Sequence, residues 1–181
     1  LVFRDVRVPV HQRLGAPGQA FAMAQARLGP GRVHHAMRSI GQCELALALM
    51  CERARERRAF GQRLADFANL QDWIAQSRVE IDQARWLVLH AAWQLDQQGH
   101  AQARLDVAAI KWVTAQLQTR VVDRAMQVFG AMGLSPDTPL AALWSWGRAL
   151  RVLDGPDEVH LRSIARAELR RSRAQTGRVA P

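Results

Sequence analysis

Residues 32–57 read RVHHAMRSIGQCELALALMCERARER, and this stretch indicates the fold class. Its apolar residues recur at alternating intervals of four and three, which places them on one face of a helix. That face carries Ala36, Ile40, Cys43, Leu47, Met50 and Ala54. A helix from about Arg32 to Arg57 with one apolar face must pack against other helices, so the stretch predicts a helical bundle.

Two further stretches repeat this pattern and predict helices from about Asn69 to Gln98 and from about Ala101 to Phe129. Three long helices joined by short loops pack antiparallel. The predicted fold is therefore all-α: an up-and-down four-helix bundle of long antiparallel helices plus a short final helix, with an N-terminal extended arm. The two additional apolar faces consist of Leu70, Trp73, Ser77, Ile81, Ala84, Val88, Ala91 and Leu95, and of Val107, Ile110, Thr114, Leu117, Val121, Ala125 and Val128.

The chain divides into three predicted parts. Residues 1–18 are rich in valine and end in a glycine- and proline-containing turn, so we expect an extended arm. Residues 19–171 form the helical bundle. Residues 172–181 are polar and contain arginines, which predicts a frayed tail. The chain begins with Leu1 rather than Met, and we expect it to be a piece of a longer protein.

Glycine and proline mark the ends of the shorter predicted helices. A short helix over 19–28 is expected to end at Gly29-Pro30-Gly31. A later helix is predicted from Leu140 to Leu153, after a loop that contains two prolines. The sequence Asp154-Gly155-Pro156-Asp157 then predicts a break, after which a last helix runs to about Arg171.

Composition excludes several classes of protein. Hydrophobic residues make up 49% of the chain and charged residues 23%, which argues against a disordered chain. No stretch reaches the roughly 18 apolar residues of a membrane span, so we expect no membrane association.

Cys43 and Cys51 lie about 12 Å apart on one predicted helix, too far for a disulfide. Free thiols are typical of a reducing compartment such as the bacterial cytoplasm.

The net charge is +9, and all but one of the 25 basic residues are arginine; the exception is Lys111. Arg162, Arg166 and Arg170 form a basic stripe on the last predicted helix, but no reading motif accompanies it, so we expect no nucleic-acid partner. The histidines lack the Glu-x-x-His or Cys/His spacing of metal sites, so no metal is expected.

Three motifs remain, and each alone could be an ordinary helix end. Arg57-Arg-Ala59-Phe60-Gly61 closes the first long helix, where basic residues and a glycine cap are common. Gln127-Val-Phe-Gly130-Ala131-Met-Gly133 closes the third. Arg148-Ala-Leu-Arg-Val-Leu-Asp154-Gly155-Pro-Asp-Glu-Val-His160 leads into the last helix.

Taken together and in this order, the three motifs resemble the C-terminal helical domain of the acyl-CoA dehydrogenases. The resemblance covers about residues 28–169. Residues 1–14 are similar to the last strand of that family's middle β-domain, which this chain otherwise lacks. The Asp-Gly-Pro-Asp-Glu sequence is similar to the branch with members fused to kinase-like domains.

The resemblance implies FAD as cofactor and assigns residues to it. Arg57, Ala59 and Phe60 would reach the FAD of a neighbouring subunit, with the Arg fork suited to a pyrophosphate. Gln127, Gly130 and Ala131 would form a second contact, in which small residues allow close approach. Gly155 would complete the cofactor set, and Arg32 would lie on the substrate side.

Asp154 occupies the position of the family's catalytic base. The implied reaction is removal of the acyl α-proton by the carboxylate and transfer of the β-hydride to the flavin. A carboxylate serves this role when an apolar pocket keeps water away, and Val152 and Leu153 are expected to provide one. From the residues alone, a purely structural role in the turn stays open.

Two functions from different classes follow. The first is the C-terminal domain of an acyl-CoA dehydrogenase with an acyl-CoA substrate, an electron-transfer flavoprotein as acceptor and a homodimeric or homotetrameric assembly. Phe60, Trp144 and Trp146 would contribute to that assembly, and the isolated chain is expected to lack turnover. The second is a basic helical bundle that acts as a binding or oligomerisation module without catalysis.

Overall fold

The computed structural model describes residues 1–176. The main elements are α1 (Ala20–Glu56), a hairpin of β1 (Arg58–Ala59) and β2 (Gln62–Arg63), α2 (Ala68–Phe129), α3 (Leu140–Leu150) and α4 (Asp157–Thr176). Short 3-10 turns lie at Val10–Gln12, Leu64–Asp66 and Gly130–Leu134. Among the described residues, none of the helices combines the length and apolar character needed to cross a bilayer.

The long α2 consists of two helical arms, 68–98 and 100–129, which meet at Gly99. Gly99 has φ 76° and ψ 178°, a conformation that interrupts the helix and that glycine adopts without a steric penalty. The two predicted helices are therefore confirmed as the arms of α2, and the chain reverses at the single glycine between them.

The core lies where α1 packs against both arms of α2, with α3 and α4 against α2. The predicted apolar face of α1 is buried throughout. Along α2, the predicted faces are buried as well, except for the half-buried Trp73 and Leu95. These results confirm the all-α bundle. Residues 1–9 form neither helix nor strand and are exposed, as an extended arm would be.

Gly29-Pro30-Gly31 does not end a helix, contrary to the prediction. The residues lie inside α1, which begins at Ala20. Gly29 is buried against His100, and a Cβ at Gly29 would lie 2.4 Å from its ring nitrogen Nδ1. Close packing against α2 thus holds the helix together where local preference would break it.

Two other helix ends differ from the prediction. α3 stops at Leu150 rather than Leu153, because the chain turns through residues 151–156 before α4. α4 continues past Arg171 to Thr176, so the first part of the expected frayed tail is helical. Arginine and alanine favour helix there, and no glycine or proline lies between Arg171 and Gly177. The rest of that tail, 177–181, lies outside the described residues.

The 3-10 turn after α2 depends on a glycine without room for a side chain. A Cβ at Gly133 would lie 2.7 Å from the carbonyl oxygen of Met126, a backbone atom that cannot move aside cheaply. We expect Gly133→Ala to lower the free energy of unfolding by about 1–3 kcal/mol. Urea unfolding followed by circular dichroism measures this loss.

Gly41 provides the matched control, since it is exposed within α1 and a Cβ there would meet nothing within 4 Å. Gly41→Ala should raise the free energy of unfolding by up to about 1 kcal/mol through better helix propensity. Equal effects of the two substitutions would contradict the packing role of Gly133.

Candidate active site

The turn between α3 and α4 presents Asp154 in a strained conformation. Asp154 has φ +55° and Gly155 has φ +101°, both in the left-handed region. Aspartate tolerates this region better than most residues, and glycine enters it freely. Asp154 borders a small cavity, which Arg32, His35, Ala36, Lys111, Thr114, Ala115, Leu150 and Leu153 also line.

Three side chains from three helices hold the backbone of this turn. Arg32 of α1 donates to the Asp154 carbonyl oxygen from Nε at 3.1 Å and from Nη2 at 2.7 Å. His160 of α4 has Nε2 at 3.3 Å from the same oxygen. Lys111 of α2 donates from Nζ to the Gly155 carbonyl oxygen at 2.6 Å. The turn is therefore fixed relative to three helices.

Asp157 is the first residue of α4, and it anchors the start of that helix immediately after the turn. It is only 4% exposed and accepts hydrogen bonds from Arg151 Nε at 2.8 Å and from Gln116 Nε2 at 2.9 Å. Its Oδ1 lies 3.9 Å from Lys111 Nζ, itself almost fully buried. Burial lowers the pKa of Lys111, and the Asp157 carboxylate opposes that effect. Lys111 and Asp157 therefore form a buried ion pair, and removal of one partner would destabilise the fold.

Burial also lowers the pKa of two other side chains that hold the turn. The pKa of Arg32 falls because its guanidinium is desolvated, although Asp154 opposes the shift. The pKa of His160 falls through desolvation and through the nearby charges of Arg32 and Lys111. Arg32 and Lys111 thus place two positive charges beside the turn, and His160 beside them is favoured in its neutral form.

The structure corrects one detail predicted around Asp154. Leu153 lines the cavity as expected, but Val152 is 58% exposed and does not line it; Leu150 takes its place. Arg32, predicted to lie on the substrate side, donates to the Asp154 carbonyl oxygen. It also borders two wider grooves next to the cavity, so a part of its side chain stays accessible.

Lys111, His35 and His160 contact Asp154 or Gly155 but were not among the predicted site residues. One signal for Lys111 was present, because it is the single lysine and follows Ile110 of the predicted apolar face. A charged residue at that position is buried only with a partner. The histidines offered no comparable signal.

A second cluster lies at the opposite end of α1. The chain leaves α1 at Glu56, with Arg57 in an extended conformation, and forms the β1–β2 hairpin. Phe60 and Gly61 have φ values of 50° and 84°, as a two-residue hairpin turn requires. Gly61 was expected to cap the helix and instead forms this turn. Phe60 is 97% exposed at its tip, next to Ala59 in β1.

The end of α2 lies beside this hairpin. Gly130 ends the helix with φ 64° and ψ −139°, a conformation essentially restricted to glycine. A groove here brings together four predicted cofactor residues: Arg57, Gln127, Gly130 and Ala131. Its other lining residues are Arg53, Leu64, Asn69, Leu70, Trp73, Val128 and Phe129.

The predicted site residues therefore form two separate groups. Asp154, Gly155 and Arg32 meet at the turn, whereas Arg57, Gln127, Gly130 and Ala131 meet at the groove. At about 1.5 Å per residue, α1 separates Arg32 from Glu56 by roughly 36 Å. Gly155, predicted with the cofactor set, lies in the group of the catalytic candidate. Phe60 is on the hairpin beside the groove and does not line it.

Similarity to known proteins agrees with this architecture. The family model described as "Acyl-CoA dehydrogenase, C-terminal domain" matches residues 18–169. The Mycobacterium tuberculosis protein "Probable acyl-CoA dehydrogenase FadE2" is 58% identical over 172 residues, which are 95% of this chain and 42% of that protein. Acyl-CoA dehydrogenase family member 10 of Mus musculus is 54% identical, over 93% of this chain and 16% of that protein.

A solved structure from the same family is also similar to this chain. Butyryl-CoA dehydrogenase from Megasphaera elsdenii matches with a TM-score of 0.84 at 33% identity, over 93% of this chain and 43% of that one. The chain spans less than half the length of each of these three proteins. Because the family model matches most of the chain, and two relatives exceed 50% identity, the chain belongs to the acyl-CoA dehydrogenase family and carries its C-terminal helical domain.

Proposed function

We propose that this chain supplies the catalytic base and part of the flavin-binding surface of an FAD-dependent enzyme that oxidises acyl-CoA to 2-enoyl-CoA. The observation that carries the proposal is the position of Asp154. Its backbone is fixed by Arg32 and His160, and it borders a cavity with an apolar wall of Leu150 and Leu153. The named relatives support the substrate class, since their names refer to acyl-CoA and butyryl-CoA.

In this proposal, Asp154 accepts the α-proton of the acyl group on a carboxylate oxygen. The electron pair of the broken C–H bond enters the new double bond between the α- and β-carbons. FAD, when bound, supplies the acceptor for the hydride that leaves the β-carbon. The apolar wall of the cavity keeps water away from the base, and the contacts to the carbonyl oxygens of the turn hold its backbone in place.

The residues of the groove fit a flavin dinucleotide. Arg57 offers a guanidinium fork of the kind that binds phosphate oxygens, and Gln127 offers an amide that can donate and accept. Gly130 has no side chain and adopts a conformation essentially restricted to glycine, so its backbone can approach a ligand closely. The exposed ring of Phe60 beside the groove is suited to packing against a planar base.

The distance between the turn with Asp154 and the groove implies that one chain contacts two different FAD molecules. Roughly 36 Å of helix lies between Arg32 and Glu56, which is longer than an extended FAD molecule. A single FAD therefore cannot touch both Asp154 and the groove of one chain. We infer that the groove contacts the FAD of a neighbouring subunit, as expected for a homodimer or homotetramer.

The reduced flavin must be reoxidised, and an electron-transfer flavoprotein is the proposed acceptor. The proposed location is the bacterial cytoplasm, where such carriers and acyl-CoA thioesters are available. The free thiols of Cys43 and Cys51 support a reducing compartment.

We predict that the chain self-associates. Phe60 and Trp144 are exposed as expected, whereas Trp146 is half-buried; Trp86 and Trp93 on α2 are 72% and 55% exposed. Large exposed aromatic groups are typical of interfaces. Light scattering should give a mass of at least a dimer, and Trp86→Ser should shift the equilibrium toward the monomer. A monomer at high protein concentration would contradict this prediction.

The function is tested by fusing this chain to the part of FadE2 that it does not cover. The fusion should bind FAD, and acyl-CoA should bleach the flavin absorbance under anaerobic conditions. The 181-residue chain alone is the control, and we expect it to show no turnover because both groups need partners outside it. A fusion that holds FAD but is bleached by none of a series of acyl-CoA chain lengths would refute the proposed function.

A further inference from the structure

His35 contacts the carboxylate of Asp154 from α1. Its Nε2 lies 3.5 Å from Asp154 Oδ2, and the two side chains are 31% and 26% exposed. Both residues line the same cavity. A contact of 3.5 Å is longer than a formed hydrogen bond, but catalytic hydrogen bonds are often long before substrate binds and shorten in the complex.

The other ring nitrogen of His35 decides its protonation state. Nδ1 is buried and has no hydrogen-bond partner among the described residues. In the imidazolium form, Nδ1 would be a buried, charged donor without an acceptor, which is costly. The neutral form with a proton on Nε2 leaves only a weak acceptor unpaired. Burial also lowers the pKa of His35, an effect that the Asp154 carboxylate opposes.

The carboxylate needs such a contact because the other interactions fix only the backbone. Arg32, His160 and Lys111 all contact carbonyl oxygens of the turn. They set the position of the Asp154 Cα atom and leave the two side-chain torsions free. A base must hold its oxygen within a narrow range of distance and direction from the proton it removes.

We propose that His35 is the positioning residue of the catalytic base: its Nε2–H donates to the Asp154 carboxylate and fixes the orientation of that group. This rests on the proposed function of Asp154. The charged and titratable groups that act on His35 from the surrounding elements are Asp154, Arg38, His34 and Arg27, and Arg32 and Lys111 line the shared cavity.

The first test uses the FAD-loaded fusion enzyme and three variants. His35→Ala should slow flavin reduction about tenfold, the effect of one lost hydrogen bond, with little change in KM. His35→Gln should recover most of the rate, because its amide can donate from nearly the same place. His34→Ala is the matched control, since His34 is exposed and pairs with Arg38 at 2.8 Å; it should behave as wild type.

Rescue by the conservative variant separates positioning from a merely structural role, because Gln restores a donor at this place and Ala does not. A rate for His35→Ala that matches that of His34→Ala would overturn the proposal.

A second test needs no activity. In the 181-residue chain, NMR titration of the imidazole signals should show that Asp154→Asn moves the midpoint of His35 to lower pH, because a stabilising negative charge is lost. An unchanged His35 midpoint would overturn the proposal. If this contact is present but the wild-type fusion is never bleached by acyl-CoA, the proposed function fails and the contact between the two residues stands.

Discussion

Replacement of Asp154 by Asn is expected to reduce the rate of flavin bleaching by acyl-CoA about 10²–10⁴-fold in the fusion enzyme. The amide keeps the shape of the side chain and one acceptor oxygen, but it cannot accept the α-proton. The backbone contacts of the turn involve only the carbonyl oxygens of Asp154 and Gly155, so they survive the substitution. Stopped-flow absorbance gives the rate, after FAD content has been matched between variants.

Asp154→Glu is the control for this prediction. It keeps the carboxylate and lengthens its reach by one methylene group, so activity should persist, with an altered preference for acyl chain length. If Asp154→Asn bleached flavin at the wild-type rate, the base would have to be another residue. Asp157 is a poor substitute because Arg151 and Gln116 occupy its carboxylate in a buried site. Glu158 is exposed and does not line the cavity.

Most of the bundle could be predicted from the sequence, because helix periodicity is a local signal. The apolar faces around Ile40, Ile81 and Ile110 are buried as predicted. The largest error in a helix boundary occurs where a tertiary contact outweighs local preference. Gly29, expected to end a helix, packs against His100, a residue far along the chain. The chain therefore stays helical through Gly29-Pro30-Gly31, whereas the ends of α3 and α4 differ from the prediction by only a few residues.

The candidate site could be predicted only in part. Asp154 and the groove residues followed from motifs that lie in continuous sequence. The contacts of Lys111 with Gly155 and of His35 with Asp154 join residues from different helices, and no local pattern encodes them. The hairpin at Phe60 was missed for another reason: a positive φ at a phenylalanine is uncommon, so the sequence favoured a simple helix cap.

The buried ion pair of Lys111 and Asp157 gives the prediction with the largest change in the free energy of unfolding. Asp157→Asn removes the carboxylate that pairs with the buried ammonium group of Lys111, and only the weaker effects of Asp154 and Glu158 then oppose the cost of its burial. It also weakens the contact with Arg151. Breaking a buried ion pair from one side typically costs about 3–5 kcal/mol, and we expect the free energy of unfolding to fall by about 3 kcal/mol. Urea unfolding at neutral pH measures it.

Three comparisons make this prediction specific to the ion pair. Glu158→Gln changes the neighbouring acidic residue, which is exposed in the same first turn of α4, and should cost less than about 1 kcal/mol. Adding Lys111→Met to Asp157→Asn removes the unpaired charge, so the double variant should be less destabilised than the sum of its single changes. Similar losses for Asp157→Asn and Glu158→Gln would contradict the role of the pair.

The third comparison is the dependence on pH. The pKa of Lys111 is lowered in the folded chain, so between that value and its ordinary value of 10.5 the unfolded chain binds more protons. Stability due to this group therefore rises with pH across that window. Asp157→Asn removes the largest of the negative charges that oppose this lowering, which widens the window toward neutral pH. The deficit of Asp157→Asn relative to wild type should consequently shrink as the pH approaches 10.5, because the buried amine is then neutral in the folded variant and needs no partner.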